Sequence, residues 1–252
     1  MEAPREKAFR WIRVYWAMGI IILVTLLCTS VMGRAAEGWH SVWNYRIVFW
    51  KGWLLTIFLS VASLLLSCLV GFAVAVARRS RLIPIRSAAF LYIEIERGTP
   101  FLVQILFLYY VLFNFIGLEN RLVAGVILLS LFSGAYLAEI IRSGMESIPA
   151  SQLESARAIG LTTIQIYRFV IGPQALRQIL PPLAGQFASL IKDSSLLSII
   201  GLGEFTLAAQ QVNSATYCTL ESYLPLAMGY LVLTIPISSA ARFLETHLNY
   251  ET

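Results

Sequence analysis

Between Gly52 and Ala77 the chain runs for 26 residues without one charged side chain. As a helix rising about 1.5 Å per residue, such a run exceeds the ~30 Å hydrocarbon core of a bilayer. Nothing else in the sequence limits the fold so strongly, and the pattern repeats. Apolar segments of spanning length are read at Tyr15–Met32, Gly52–Ala77, Ala88–Ile116, Leu122–Ile141, Leu183–Leu202 and Leu224–Phe243. Only 13% of the 252 residues are charged, about half the share in a soluble domain. The expected fold is therefore all-α: a polytopic bundle of about six transmembrane helices.

Orientation follows from where Lys and Arg fall, because cytoplasmic loops retain positive charge. With the N-terminus inside, 13 of the 19 Lys and Arg are cytoplasmic and four are external, namely Arg34, Arg46, Lys51 and Arg121. Arg97 and Lys192 lie within or near spans. Both termini are thus expected in the cytoplasm. The net charge of +5 is read as this topology signal, and no nucleic-acid partner is expected. The first span is read as a retained anchor rather than a cleaved signal. The tryptophan-rich stretch Trp39–Trp53 reads as an interfacial belt around a short surface helix. The expected division is an anchor helix with its external aromatic loop (1–51), a transmembrane domain (52–243) and a short cytoplasmic tail (244–252). Cys28 and Cys68 sit in apolar runs and Cys218 in a connector, with no CxxC pair, which argues against a disulfide framework. His40 and His247 are too far apart in sequence to suggest a metal cluster.

The connector 143–182 departs from the pattern of short loops, and a long loop in a compact protein usually has a function. It contains "SIPASQLESARAIGLTTIQIYRFVIGPQALRQILPP". Ser151 and Glu154 have capping-box spacing, and Gly160 suits a helix stop. Thr162 or Thr163 can cap a second helix, which Gly172-Pro173 would end. Two short helices joined at a glycine are expected, either as a docking surface or as a surface hairpin that only packs.

The spacing in this connector resembles the EAA motif of ATP-binding-cassette (ABC) importer permeases. The matching residues are Glu154-Ser155-Ala156, Gly160, Val170 and Pro173, with Gln152 before them and Gln174-Ala175 after. Gly98-Thr99-Pro100 with Gln104, Ala135-Tyr136-x-x-Glu139-x-x-Arg142, and Lys192-Asp193-Ser194-Ser195-Leu196 are similar to the polar amino acid uptake subfamily. Ser155, Val170 and Gly172 depart from the motif's Ala, Ile and Leu without changing its spacing.

The resemblance implies a bacterial inner-membrane permease with a five-helix type I core plus one N-terminal helix. Such a chain is non-catalytic and binds no cofactor. ATP and Mg would sit on a partner ATPase, and no phosphate-loop motif GxxxxGK[ST] occurs here. Implied partners are two ATPase subunits, a second permease subunit (identical or homologous), a periplasmic amino acid-binding protein and the lipid bilayer. Gln152, Glu154, Ser155, Ala156, Gly160 and Pro173 would form the coupling surface. A polar amino acid or close analogue would cross by alternating access. The competing class is an ion-gradient-driven secondary transporter or channel, which needs midspan charges but no EAA-type loop. No nucleophile-and-base set supports a membrane enzyme.

Charges inside spans are costly and call for partners. Counting from Pro181, Lys192 falls about 16 Å along its helix, near the expected midplane. It either contacts substrate or gates the pathway, or it pairs with Glu139, Glu96 or another subunit. Asp193 and Ser194 continue the polar run and would loosen the helix. Glu96, Thr99, Gln104 and Tyr136 complete the candidate pathway, with Pro100 expected to kink its span. Glu94 with Arg97, and Glu139 with Arg142, stand three residues apart and are read as structural pairs. Gln210, Gln211 and Asn213 fall in an outer connector that would meet the delivery protein.

Overall fold

The computed structural model describes residues 35–248, together with Met18, Gly19 and Ile22. Apart from those three, the expected first span lies outside the described residues, as does the tail beyond residue 248. Every regular element among the described residues is a helix. Helix α1 (Ala35–Trp43) leads into α2 (Arg46–Arg78), and α3 (Ile83–Gly98) into α4 (Phe101–Phe107) with a π-helical continuation, Leu108–Phe113. Then come α5 (Arg121–Glu146) and α6 (Ala150–Ala158). Helix α7 (Thr163–Gln165) passes through a π-helical turn, Ile166–Ile171, into α8 (Gly172–Asp193) and a 3-10 stretch, Ser194–Ile200. Helices α9 (Phe205–Thr216) and α10 (Thr219–Leu248) complete the set.

Arg46–Arg78, Arg121–Glu146 and Thr219–Thr246 are long and apolar enough to cross a membrane. Helix α2 shows the bilayer pattern most clearly. Its buried positions include Gly52, Thr56, Ser60, Ser63, Ser67, Gly71 and Ala75, spaced three or four apart on one face. Leu54, Phe58, Val61, Leu65, Leu69, Phe72 and Val76 are exposed. Small and hydroxylic residues point inward while large apolar ones point outward, as close packing within lipid requires. The buried hydroxyls are satisfied: Ser60 Oγ donates to Thr56 O at 2.7 Å and Ser67 Oγ to Leu64 O at 2.9 Å.

Helices α2 and α5 run in the same direction. Ser63 Oγ reaches Val126 O at 3.5 Å, and Gly71 abuts Gly134 and Leu137 further along. Helix α8 runs back along α5, with Gln186 Nε2 3.4 Å from Ser133 Oγ and Ile179 against Gly144. The Arg78 end of α2, the start of α3, the end of α5 and α6 therefore gather at one end of the bundle. Arg121, whose Nη1 donates to Gly201 O at 3.1 Å, marks the other end.

Three expectations need correction. The expected third span is broken: Thr99 and Pro100 are extended between α3 and α4, because Pro100 cannot donate to the ladder and restricts the residue before it. The capping box at Ser151 does not form. Pro149 occupies the N-cap of α6 without a side-chain bond, so Ser151 falls inside the first turn. The capping box is formed instead by Thr162 and Gln165. Nor does Gly172 end a helix. It is right-handed, at φ −55° and ψ −53°, and the π-helical turn carries the chain straight into α8.

At Gly71 a Cβ would come within 2.7 Å of Leu137 Cβ and 3.1 Å of Gly134 O. Gly71→Val should separate α2 from α5 and destabilise the bundle by about 1–3 kcal/mol. A lowered unfolding midpoint in detergent would show it, and an unchanged midpoint would count against this seam.

Candidate functional site

The break between α3 and α4 is held by Gln104. With no N–H at Pro100, the Glu96 carbonyl loses its helical donor. Gln104 Nε2 replaces that donor at 2.9 Å and also reaches Thr99 O at 3.2 Å and Thr99 Oγ1 at 2.8 Å. Thr99 Oγ1 in turn donates to Ile95 O at 2.8 Å. Gln104, expected as a pathway-lining group, is buried and turned to the backbone break. The Glu96 carboxyl is only 8% exposed, and its Oε2 has no hydrogen-bond partner among the described residues.

Of the two expected structural pairs, Glu139–Arg142 forms and Glu94–Arg97 does not. Arg97 does not bridge to Glu94. It lies across the helix interface, with Nη1 4.0 Å from Glu139 Oε1 and its guanidinium 5.5 Å from the Tyr136 ring centre. Arg142 holds both Glu139, with Nε 3.0 Å from Oε1, and Glu146. Glu139 is thus shared by arginines from α3 and α5. Tyr136 also packs 5.1 Å from Phe132, which stacks on Phe101 at 4.4 Å. Arg97, Glu139, Tyr136 and the start of α4 form one connected patch.

Lys192 and Asp193 close α8. Helix α8 starts at Gly172, before the expected span, so Pro181 lies inside the helix and does not mark its start. Gln186 faces Ser133 at the middle of α5, and Lys192 stands six residues on, about 9 Å toward the Arg121 end. Lys192 is exposed and absent from the ion pairs among the described residues, so neither expected pair, with Glu139 or with Glu96, is formed. Ser194 is fully buried and donates to Ile191 O at 2.7 Å, while Ser195 donates to Lys192 O at 2.6 Å. Both hydroxyls feed the last α-helical carbonyls as the chain tightens to 3-10.

The connector gives a defined surface. Ile148, Ala156, Ile166, Ile171 and Ala175 form a small apolar cluster that seats α6 on the start of α8. Gln174 Nε2 ties the two together, donating to Gln152 Oε1 at 2.7 Å and to Val170 O at 3.0 Å. Gly160, at φ +82°, closes α6 with Leu161 N donating to Ala156 O at 3.1 Å, a Schellman-type turn. Gln152, Glu154, Ser155, Gly160 and Pro173 are exposed, whereas Ala156 faces the chain's own cluster. Ile159 and Ile164, beside the turn, are 77% and 79% exposed. Neither was among the expected coupling residues.

Glu204 was also missed. It is fully buried and caps α9, accepting from Thr206 N at 2.9 Å, Leu207 N at 2.8 Å and Tyr230 Oη at 3.0 Å. Its place just after a glycine-rich turn and before a helical segment was the available signal. Gln210 and Gln211 stand exposed on α9.

An all-helical membrane bundle, broken within one span and carrying an exposed helix–glycine turn at one end, is the architecture of a transport permease. Residues 67–250 match the family of the binding-protein-dependent transport system inner membrane component. The chain belongs to that family, and its role is that of the membrane permease subunit of an ABC importer. It is 34% identical to the glutamine transport system permease protein GlnP of Escherichia coli K12, over 83% of this chain and 97% of that one. It is 34% identical to the nopaline transport system permease protein NocM of Agrobacterium fabrum, over 77% and 85% of the two chains. Among solved structures, an amino acid ABC transporter crystallised with histidines matches at 35% identity and a TM-score of 0.77, covering 82% of this chain and 97% of that one. The methionine transporter MetNI shares the fold at 20% identity and a TM-score of 0.63, over 83% and 98% of the two chains.

Replacing Gln104 by Leu leaves the buried Glu96 carbonyl without its donor, a loss of about 1–3 kcal/mol. The Gln104→Leu permease should unfold at lower temperature while Gln104→Glu, which keeps the length but not the donor, should do no better. Full stability in Gln104→Leu would show that the amide is not needed at the break.

Proposed function

We propose that this permease carries a polar amino acid, or a close analogue such as an opine, from periplasm to cytoplasm by alternating access. The observation that carries the reading is the exposed α6 surface, seated on its own apolar cluster and closed at Gly160, at EAA spacing. The substrate class rests on the relatives, which include glutamine and nopaline permeases. On this reading the Arg78 end of the bundle is cytoplasmic and the Arg121 end periplasmic, in keeping with the excess of arginine at the former.

Two ATPase subunits, with ATP and Mg bound on them, dock on Gln152, Glu154, Ser155, Gly160 and Pro173, with Ile159 and Ile164 filling an apolar recess in the partner. Ala156 anchors the helix from beneath. A second permease subunit, identical or homologous, encloses the pathway. The periplasmic binding protein meets the outer face near Gln210 and Gln211. Closure of the ATPases on ATP moves the docked helices, and hydrolysis resets them, so ligand binding biases a conformational equilibrium. Lys192, Asp193 and Ser194 contribute to the passage from α8, and Glu96, Thr99, Gln104 and Tyr136 shape it from the broken span. Arg97, Glu139 and Arg142 serve the bundle's structure, whereas Glu94, exposed and outside these pairs, does not.

Two measurements test the reading. Gly160→Asp puts a Cβ and a negative charge into a left-handed turn that glycine adopts without strain, and Glu154→Arg reverses the charge of the surface. Either should abolish most ATP-driven uptake in the reconstituted complex. Normal assembly with full transport would sink the coupling assignment, and uptake that survives ATP depletion but collapses with the proton gradient would sink the importer itself. Lys192→Met should leave the complex assembled but weaken substrate-stimulated ATP hydrolysis at least tenfold, about 1.4 kcal/mol in transition-state terms. Loss of assembly instead would assign Lys192 to structure.

A further inference from the structure

The cytoplasmic end of the bundle carries a feature that transport does not absorb. A cleft of about 340 Å³ lies between the end of α2, the start of α3 and the end of α5. Arg78, Arg79, Arg86 and Arg142 line it against one carboxylate, Glu146. Arg142 is engaged by Glu139 and Glu146. The other three form no ion pair within 4.0 Å among the described residues, although Arg78 acts on Glu139 at longer range. Arg78 rests 4.8 Å from the Phe90 ring centre, and Arg79 Nη1 lies 3.2 Å from Met145 Sδ.

A second, larger groove of about 660 Å³ adjoins it and is almost entirely apolar. Phe72, Ala73, Val76, Ile85, Ile141 and Tyr167 line it. Arg79 belongs to both cavities. Phe72 and Val76 are 62% and 55% exposed, so the groove opens toward lipid rather than into the bundle.

We propose that this paired site holds one anionic phospholipid of the cytoplasmic leaflet. Its phosphate lies among Arg78, Arg79 and Arg86, and an acyl chain lies in the groove along Val76 and Phe72, with Tyr167 lining the groove nearer the connector. The inference rests on the orientation proposed above. Charge complementarity selects an anion, as basic pockets between cytoplasmic helix ends do for acidic headgroups. The adjoining apolar groove selects a lipid over a free phosphate, because a soluble anion leaves that groove empty. Tyr167 lies in the π-helical turn that joins the Gly160 corner to α8, so the bound chain touches the segment through which the docking surface is held.

The test is lipid retention by the permease–ATPase complex, read by native mass spectrometry after equilibration with phosphatidylglycerol or phosphatidylcholine. Phosphatidylglycerol should be retained preferentially. Arg78→Gln/Arg79→Gln/Arg86→Gln should lower its retention about tenfold or more. Ala73→Trp, which fills the groove without altering charge, should lower it as well. Millimolar sn-glycerol 3-phosphate should not displace it. Equal retention of both lipids, indifference to the substitutions, or displacement by glycerol phosphate would each overturn the site. So would loss of the ATPase from the triple variant with lipid still bound, which would assign the arginines to a protein partner. Retention needs neither ATP nor substrate, so it stands or falls apart from the transport reading. Orientation is checked separately: a membrane-impermeant maleimide should label Ser80→Cys in inside-out vesicles, and labelling from outside would refute the cytoplasmic placement.

Discussion

The seam between α2 and α5 bears the rest of the molecule. Within lipid there is little hydrophobic reward for bringing two helices together, so close backbone approach and shared hydrogen bonds must supply it. Gly71 and Gly134 bring the two backbones into contact, and Ser63 and Ser130 exchange contacts with the partner helix's carbonyls at 3.5 and 3.3 Å. The core cluster of Leu59, Ile105, Leu128, Leu129 and Leu197 then gathers α4 and the 3-10 stretch onto this pair. The broken span, the end of α8 and the connector are all positioned by reference to two helices that run side by side in the same direction.

That seam also explains what could be read in advance. Spanning segments were legible because uninterrupted apolar runs are required to shield a helical backbone, and the cores of α2, α5 and α10 fell where expected. The hydroxyl-rich face of α2 has three- and four-residue spacing in the sequence but was not read from it. The break at Gly98–Pro100 was visible as a kink but not as an extended gap, because only the Gln104 side chain, reaching back eight residues, makes such a gap affordable. The cap at Ser151 failed because Pro149 started the helix first, a local competition that pattern alone does not decide. The start of α8 was missed for a different reason: a π-helical turn erased the boundary that Gly172-Pro173 suggested.

Charge organisation follows the same geometry. Glu139 receives one arginine from its own helix and one from α3, so the α3–α5 contact is electrostatically closed. The arginines at the end of α2 and the start of α3, Arg78, Arg79 and Arg86, form no ion pair within 4.0 Å among the described residues. Sequence counting located this excess of positive charge, but it could not separate arginines engaged within the bundle from those left open. Only the placement of Glu139 and Glu146 on the last turns of α5 makes that division.

Helix α8 links the two regions that matter most. From the Thr162 cap to Asp193 the backbone stays helical, a path of about 45 Å, with the connector's surface at one end and Lys192-Asp193 at the other. A continuous helix transmits displacement with little loss, and two features along this one reduce its stiffness. The π-helical turn at Ile166–Ile171 sits directly above the apolar cluster that seats α6. Pro181-Pro182, inside α8, removes two ladder donors near its middle. The first places compliance where the docking surface is anchored, and the second places it below Gln186, which is held to Ser133 of the central pair. Motion of the connector would therefore bend α8 below its attachment to α5 before it could displace Lys192, and any mechanical coupling between the two ends must pass through the stiffness of that proline pair.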